Sequence, residues 1–265
     1  MLTTYALTAF MPLGVWAHTY FFLELAGVDA PAAAVAFICA GATFTYVFDR
    51  VVDQPGDRAP TTSIHHAAMR NHRFAQSMLF ACIAVMACTT TARALCTALG
   101  CMSLCIWYFK PLPVLGVCIK ELFPLSKTAF VPLVHVVWPY GCVGAMPPWG
   151  AGMALWFSVT TSTIYMDVKD IATDRAHGVV TLPTLLGHSL SLAVLSAAYA
   201  VAALVALLQF SDDDRVAGSH KWAIVGTYAV HSVVMARYAV RKEIPTVRFG
   251  SLGWCMPWIF ARALA

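Results

Sequence analysis

The chain has 265 residues, of which 60% are Ala, Val, Ile, Leu, Met, Phe, Trp, Tyr or Cys and only 11% are charged, with a mean hydropathy of +0.71. That balance belongs to a polytopic membrane protein and excludes an ordinary soluble domain, in which about 25% of residues are charged. A net charge of +4 without a clustered basic run gives no footing for DNA or RNA as a partner.

Nine apolar segments are predicted as membrane helices, at 5–28, 31–52, 75–92, 94–109, 126–146, 149–166, 184–209, 220–239 and 249–264, within a single domain over 1–265. The first lacks a basic leader and outruns a signal-peptide core, so it is read as a helix that stays. The second runs into FDRVVDQPGD (48–57), where Asp49, Asp53 and Asp57 recur every four residues, a helical-face spacing. The connector that follows carries HHAAMRNHR (65–73). His65 and His66 point in different directions on a helix, and no Cys or acid completes a zinc set with them and His72. This stretch reads as a basic connector whose Arg70 or Arg73 can help capture an anion.

Segments three and four carry Cys82, Cys88, Cys96, Cys101 and Cys105 without any Cys-x-x-Cys, which reads as small apolar packing. Segment five contains His135. An ionisable group at membrane depth is either a functional residue or a hydrogen-bonded packing histidine. Segment six ends in DVKDIATD (167–174), where Asp167, Asp170 and Asp174 are spaced by three and four, again one helical face, and a polar connector over 167–183 follows. The run Asp212, Asp213, Asp214 reads as a solvated loop. The last segment is barely long enough for about 30 Å of hydrocarbon.

Nine spans place both acidic clusters on one side. Lys and Arg test this independently, because cytoplasmic connectors carry their excess. Arg50, Arg58, Arg70, Arg73, Lys110, Lys120, Lys127, Lys169, Arg175, Arg237, Arg241, Lys242 and Arg248 fall on the side of the acids, and Arg93, Arg215, Lys221 and Arg262 on the other. The acidic side is therefore expected to be cytoplasmic, or stroma- or matrix-like. Six of the chain's 13 acidic residues sit in the two clusters. Like charges gathered beside hydrocarbon repel unless a cation binds between them, and a hard divalent cation carrying a diphosphate is the natural counter-charge.

DVKDIATDRAHGVVTLPTLLG (167–187) resembles the second signature of the UbiA-type intramembrane prenyltransferase superfamily, an Asp-x-x-Asp-x-x-x-Asp-Arg followed by Gly and Thr-Leu-Pro. Asp167, Asp170, Asp174, Arg175, Gly178, Thr181, Leu182, Pro183 and Gly187 carry the match. The first signature, Asn-x-x-x-Asp-x-x-x-Asp, is met in part by Asp49 and Asp53, with Thr45 at the Asn position and Asp57 continuing the spacing. YFKPLPVLGVCIK (108–120) is similar to the family's Tyr- and Pro-rich segment leading to a Lys. The resemblance spans nearly the whole chain, and its second signature is the specific part.

What the resemblance implies is an all-α bundle of about nine transmembrane helices around a central cavity, capped on the cytoplasmic side by two Asp-rich loops. The implied cofactor is magnesium (Mg2+), held by Asp49, Asp53, Asp57, Asp167 and Asp170. Arg50, Lys120 and Lys169 are candidates for direct diphosphate contact, and Asp174 is a candidate for holding Arg175 or orienting an acceptor. The implied partners are a prenyl diphosphate, an aromatic acceptor and membrane lipid. Phe44, Tyr46, Phe48, Trp138, Tyr140 and Tyr165 are candidate π-faces for an allylic cation, each competing with a plain packing role. Thr45 loses the family's amide but keeps a hydroxyl for a metal's water shell. The expected activity is prenyl transfer. A terpene cyclase of the same family and a non-catalytic relative binding lipid or a partner stand as alternatives, and a transporter is disfavoured because the acids sit at the membrane edge.

Overall fold

A computed structural model describes residues 11–52, 72–112, 114–119, 125–176, 178–209 and 218–241. The described residues form ten helices and no strand: α1 (Met11–Leu25), α2 (Ala32–Val52), α3 (His72–Thr89), α4 (Ala92–Phe109), α5 (Ser126–Val143), α6 (Trp149–Lys169), α7 (Ile171–Ala176), α8 (Leu182–Leu186), α9 (His188–Gln209) and α10 (Gly218–Arg241). Eight long helices fall on predicted segments one to eight. The ninth segment, 249–264, and residues 5–10 of the first lie outside the described residues.

Local chemistry sets the breaks. Gly27 ends α1 at φ +66, with its N–H on the Glu24 carbonyl and the Val28 N–H on that of Leu23, both 2.9 Å. This is the Schellman arrangement, in which a left-handed glycine lets the last carbonyls find donors. The Thr91 hydroxyl accepts the Ala94 N–H and starts α4 two residues after α3 stops. Gly144, at φ +73, closes α5 with its N–H on the Tyr140 carbonyl. Its missing Cβ makes room for the Arg93 guanidinium, which lies against it.

The contacts fix the directions of the helices. Trp138, near the end of α5, donates from Nε1 to the carbonyl of Ile38, near the start of α2, at 2.9 Å. Its ring also packs where a Cβ on Gly41 would stand. The Tyr140 hydroxyl donates to the Phe22 carbonyl near the end of α1 at 3.0 Å. The Tyr228 hydroxyl of α10 donates to Ala154 near the start of α6, also at 3.0 Å. Hence α2 and α5 run antiparallel, as do α5 and α6 across the short turn at 144–148. The final turns of α2 and α6, which carry Asp49 and Asp167, lie toward one end of the bundle, together with the first turn of α5. Ser196 of α9 and Ser232 of α10 each donate to the other's carbonyl, at 2.8 and 2.9 Å, and pair the last two helices.

The core is aromatic and branched, with Phe21, Phe22, Phe37, Ile38, Leu192, Leu195, Ile224 and Met235 essentially fully buried. The outside is apolar too. Phe80 of α3 is 71% exposed and Val233 of α10 is 70% exposed, with Leu99, Ile106, Val201 and Leu204 also outward. Such a surface is a liability in water and a match for lipid. By length and composition His188–Leu208 and Gly218–Arg241 can each cross a membrane, and Ala32–Phe48, Arg73–Thr89, Ala92–Tyr108 and Thr128–Val143 are shorter apolar stretches.

Candidate functional site

The second acidic cluster is described residue by residue. The sequence spacing places its three acids on one face of one helix, but the helix breaks between them. Lys169 is the last residue of α6, and Asp170 caps it at φ −99 and ψ 7, with its N–H on the Asp167 carbonyl. The six-residue α7 then carries Asp174. The polar connector predicted over 167–183 is thus mostly helical. The Asp174 N–H reaches the Asp170 carbonyl at 2.8 Å, so the path stays near-helical and the acids remain one turn apart. Asp167 and Asp174 are buried, at 2% and 8% exposure, and Asp170 is half-buried.

The rest of the signature builds the turn that holds them. Gly178, at φ +70, closes α7: its N–H reaches the Arg175 carbonyl at 3.2 Å and the Val179 N–H reaches that of Asp174 at 2.9 Å. Fully buried Thr181 caps α8 through a reciprocal box with Thr184, and Pro183 fits the first turn, where its missing N–H costs nothing. Arg175 is exposed and donates from Nη2 to the Thr184 carbonyl at 2.8 Å, spanning α7 and α8. Gly187, at φ +78, separates α8 from α9, so predicted segment seven, 184–209, begins as two helices rather than one. Gly178, Thr181, Pro183 and Gly187 therefore have local structural roles, and Arg175 acts at least partly as a brace.

Of the other predicted residues, Asp49 and Arg50 lie in the last turn of α2 and Lys169 at the end of α6, with their side chains outside the described set. Asp53, Asp57 and Lys120 lie outside the described residues, as do His65, His66 and Arg70. The structure thus brings together the second cluster and directs the end of α2 to the same end of the bundle. Among the described residues, no three of His, Cys, Asp and Glu stand close enough to share a metal ion. The donors of the second cluster are hard carboxylate oxygens at the edge of an apolar bundle, the chemistry magnesium takes, commonly with only one or two carboxylates per ion. They fit it as part of a donor set.

Thr45 donates its hydroxyl to the Gly41 carbonyl at 3.0 Å, which commits its proton and leaves oxygen lone pairs for a metal's water. Phe44 and Phe48 stack along α2 at 5.9 Å between ring centroids, and Tyr165 is buried two residues before Asp167. Trp138 and Tyr140 tie helices together at the opposite end of the bundle, so packing accounts for both. His135 places Nδ1 2.8 Å from the Val131 carbonyl, the bond of a packing histidine. One participant that the sequence pattern did not single out is Leu125, which bonds the start of α5 to the turn after α7.

No family model and no curated protein matches the sequence. Solved structures do match its fold. A UbiA homologue from Archaeoglobus fulgidus bound to GPP and Mg2+ superposes with a TM-score of 0.65 over 99% of this chain and 98% of its own, at 15% identity. An apo UbiA homologue from Aeropyrum pernix K1 gives 0.61 over 94% and 95%, at 18% identity. A digeranylgeranylglyceryl phosphate synthase gives 0.53 over 99% and 97%, at 16% identity.

Proposed function

We propose that this chain, which has the UbiA-type fold, is a magnesium-dependent, multi-pass membrane prenyltransferase. It moves a polyprenyl group from its diphosphate to an aromatic acceptor, as in quinone, tocopherol or chlorophyll biosynthesis. The observation that carries this reading is the buried pair Asp167 and Asp174 on a helix-capped turn, at the end of the bundle that the last turn of α2 also reaches. The fold is shared with a homologue bound to GPP and Mg2+. The aromatic class of acceptor is what the resemblance of DVKDIATDRAHGVVTLP to the family's second signature implies.

Asp49, Asp53, Asp57, Asp167 and Asp170 are the proposed metal-binding acids. When bound, magnesium neutralises charge on the diphosphate as it leaves. Arg50, Lys120 and Lys169 place cations on diphosphate oxygens, where negative charge grows as the prenyl C–O bond breaks and its electron pair departs with the diphosphate. Arg175 commits one donor to Thr184 and has others for the same task. The allylic cation is held by apolar walls and ring faces, with Tyr46, Phe48 and Tyr165 nearest in sequence to the acids and Phe44 one turn further along α2. An acceptor ring carbon then forms the C–C bond, and the ring proton passes to solvent water at the membrane edge, with Asp174 orienting the acceptor.

Purified protein supplied with magnesium and geranyl, farnesyl, geranylgeranyl or phytyl diphosphate should couple the chain only when an acceptor is added. The panel should include glyceryl phosphate lipids beside aromatic acceptors. A cyclic hydrocarbon from the diphosphate alone would replace transferase with cyclase, and binding without turnover would favour a non-catalytic relative. The proposed nine-span topology over 1–265 puts both acid clusters on the cytoplasmic side. Cysteines introduced at 60 and 180 should label from that side and one at 213 from the other. Labelling of 60 and 180 from different sides would remove the shared site.

A further inference from the structure

Leu125 is the only described non-glycine residue with a positive φ, at 67 with ψ 10, and it stands at the N-cap of α5 without a side-chain capping bond. A branched residue rarely adopts this left-handed conformation, and leucine brings none of the capping chemistry of Ser, Thr, Asp or Asn. What the conformation achieves is a direction: the Leu125 N–H donates to the Val180 carbonyl at 3.0 Å, across to the turn between α7 and α8. From there main-chain bonds continue without a side chain. Val179, next to Val180, donates to Asp174 at 2.9 Å, Asp174 to Asp170 at 2.8 Å, and Asp170 to Asp167 at 3.0 Å. The start of α5 is thereby linked to all three acids of the second cluster.

We propose that Leu125 is a positioning residue: its strained backbone anchors the turn that carries the second acidic cluster to α5 and so fixes where the carboxylates that meet the metal and diphosphate stand. This rests on the metal-binding reading above. The role belongs to the backbone, so the side chain can change but the N–H and the φ cannot.

Purified full-length protein would be titrated with Mn2+ in the presence of inorganic pyrophosphate, with the free ion followed by electron paramagnetic resonance and thermal unfolding recorded in parallel. Leu125→Ala and Leu125→Gly keep the N–H and should bind within about twofold of the parent. Leu125→Pro fixes φ near −65° and removes the N–H, and should weaken binding by about tenfold. Should Leu125→Pro fail to fold, Gly178→Ala tests the same link from the other side. Its Cβ meets nothing within 4 Å, but φ +70 disfavours it, and binding should weaken by about threefold. No Mn2+ binding by the parent would sink the metal-binding reading. Parent-like binding by folded Leu125→Pro, or by Gly178→Ala where Leu125→Pro does not fold, would sink the positioning role alone, as would a large loss in Leu125→Ala.

Discussion

The two ends of the bundle are held by different parts of the chain. At the end away from the acids, closure depends on side chains: Trp138 to Ile38, Tyr140 to Phe22, the 3.1 Å contact of His220 Nε2 with Glu24, and Arg93 over Gly144. At the acidic end the side-chain bonds, Arg175 to Thr184 and the Thr181–Thr184 box, stay within the turn itself, and the tie to α5 is a main-chain bond from Leu125 to Val180. A side-chain anchor fails when its one residue changes. A main-chain anchor depends on backbone geometry, so it survives side-chain changes that keep that geometry. Substitutions at one end should cost stability, and substitutions at the other should cost activity.

Four measurements would break or sharpen that contrast. The largest effect is expected for Trp138→Ala, which removes a buried indole and its bond to Ile38. It should lower unfolding free energy by about 3–5 kcal/mol while leaving metal affinity near the parent's, and a parent-like melting temperature would contradict the side-chain account of that end. Next is Asp170→Ala, or Asp49→Ala, with turnover reduced at least about a hundredfold, equivalent to about 2.7 kcal/mol of transition-state stabilisation, and thermal unfolding unchanged. EDTA should reproduce that loss in the parent, and full activity in EDTA would remove the metal from the reaction. Tyr140→Phe deletes one buried hydrogen bond at constant ring packing and should cost about 1–2 kcal/mol of stability without affecting turnover. The smallest effect is expected for Glu24→Gln. The pair with His220 is partly exposed and screened, so the change should stay below about 1 kcal/mol in unfolding titrations.

The sequence carries the helices better than the turn between them. Segments such as 31–52 and 149–166 stand out because a chain in lipid must satisfy its backbone within long helices, and charge is absent from each until its end. Both acidic clusters stand out for the opposite reason, as charge where charge is costly. The break at Asp170 is invisible to spacing, because residues three and four apart share a face whether or not the helix continues. The Gly178 and Gly187 turns follow from residues the signature already marks, although a motif records which residues recur and not what each one does. Leu125 left no trace at all: leucine in an apolar neighbourhood reads as packing, and only the backbone angle separates it from its neighbours.

The reciprocal bonds of Ser196 and Ser232 bear on how the protein is made. These two serines join the only two described helices whose length and hydropathy each suffice to cross a bilayer. Each hydroxyl finds its acceptor in the other helix, so the pair keeps its polar groups satisfied in an apolar surrounding whichever other helices are present. The two can therefore associate as a hairpin without waiting on contacts to the acid-bearing helices that precede them in the chain.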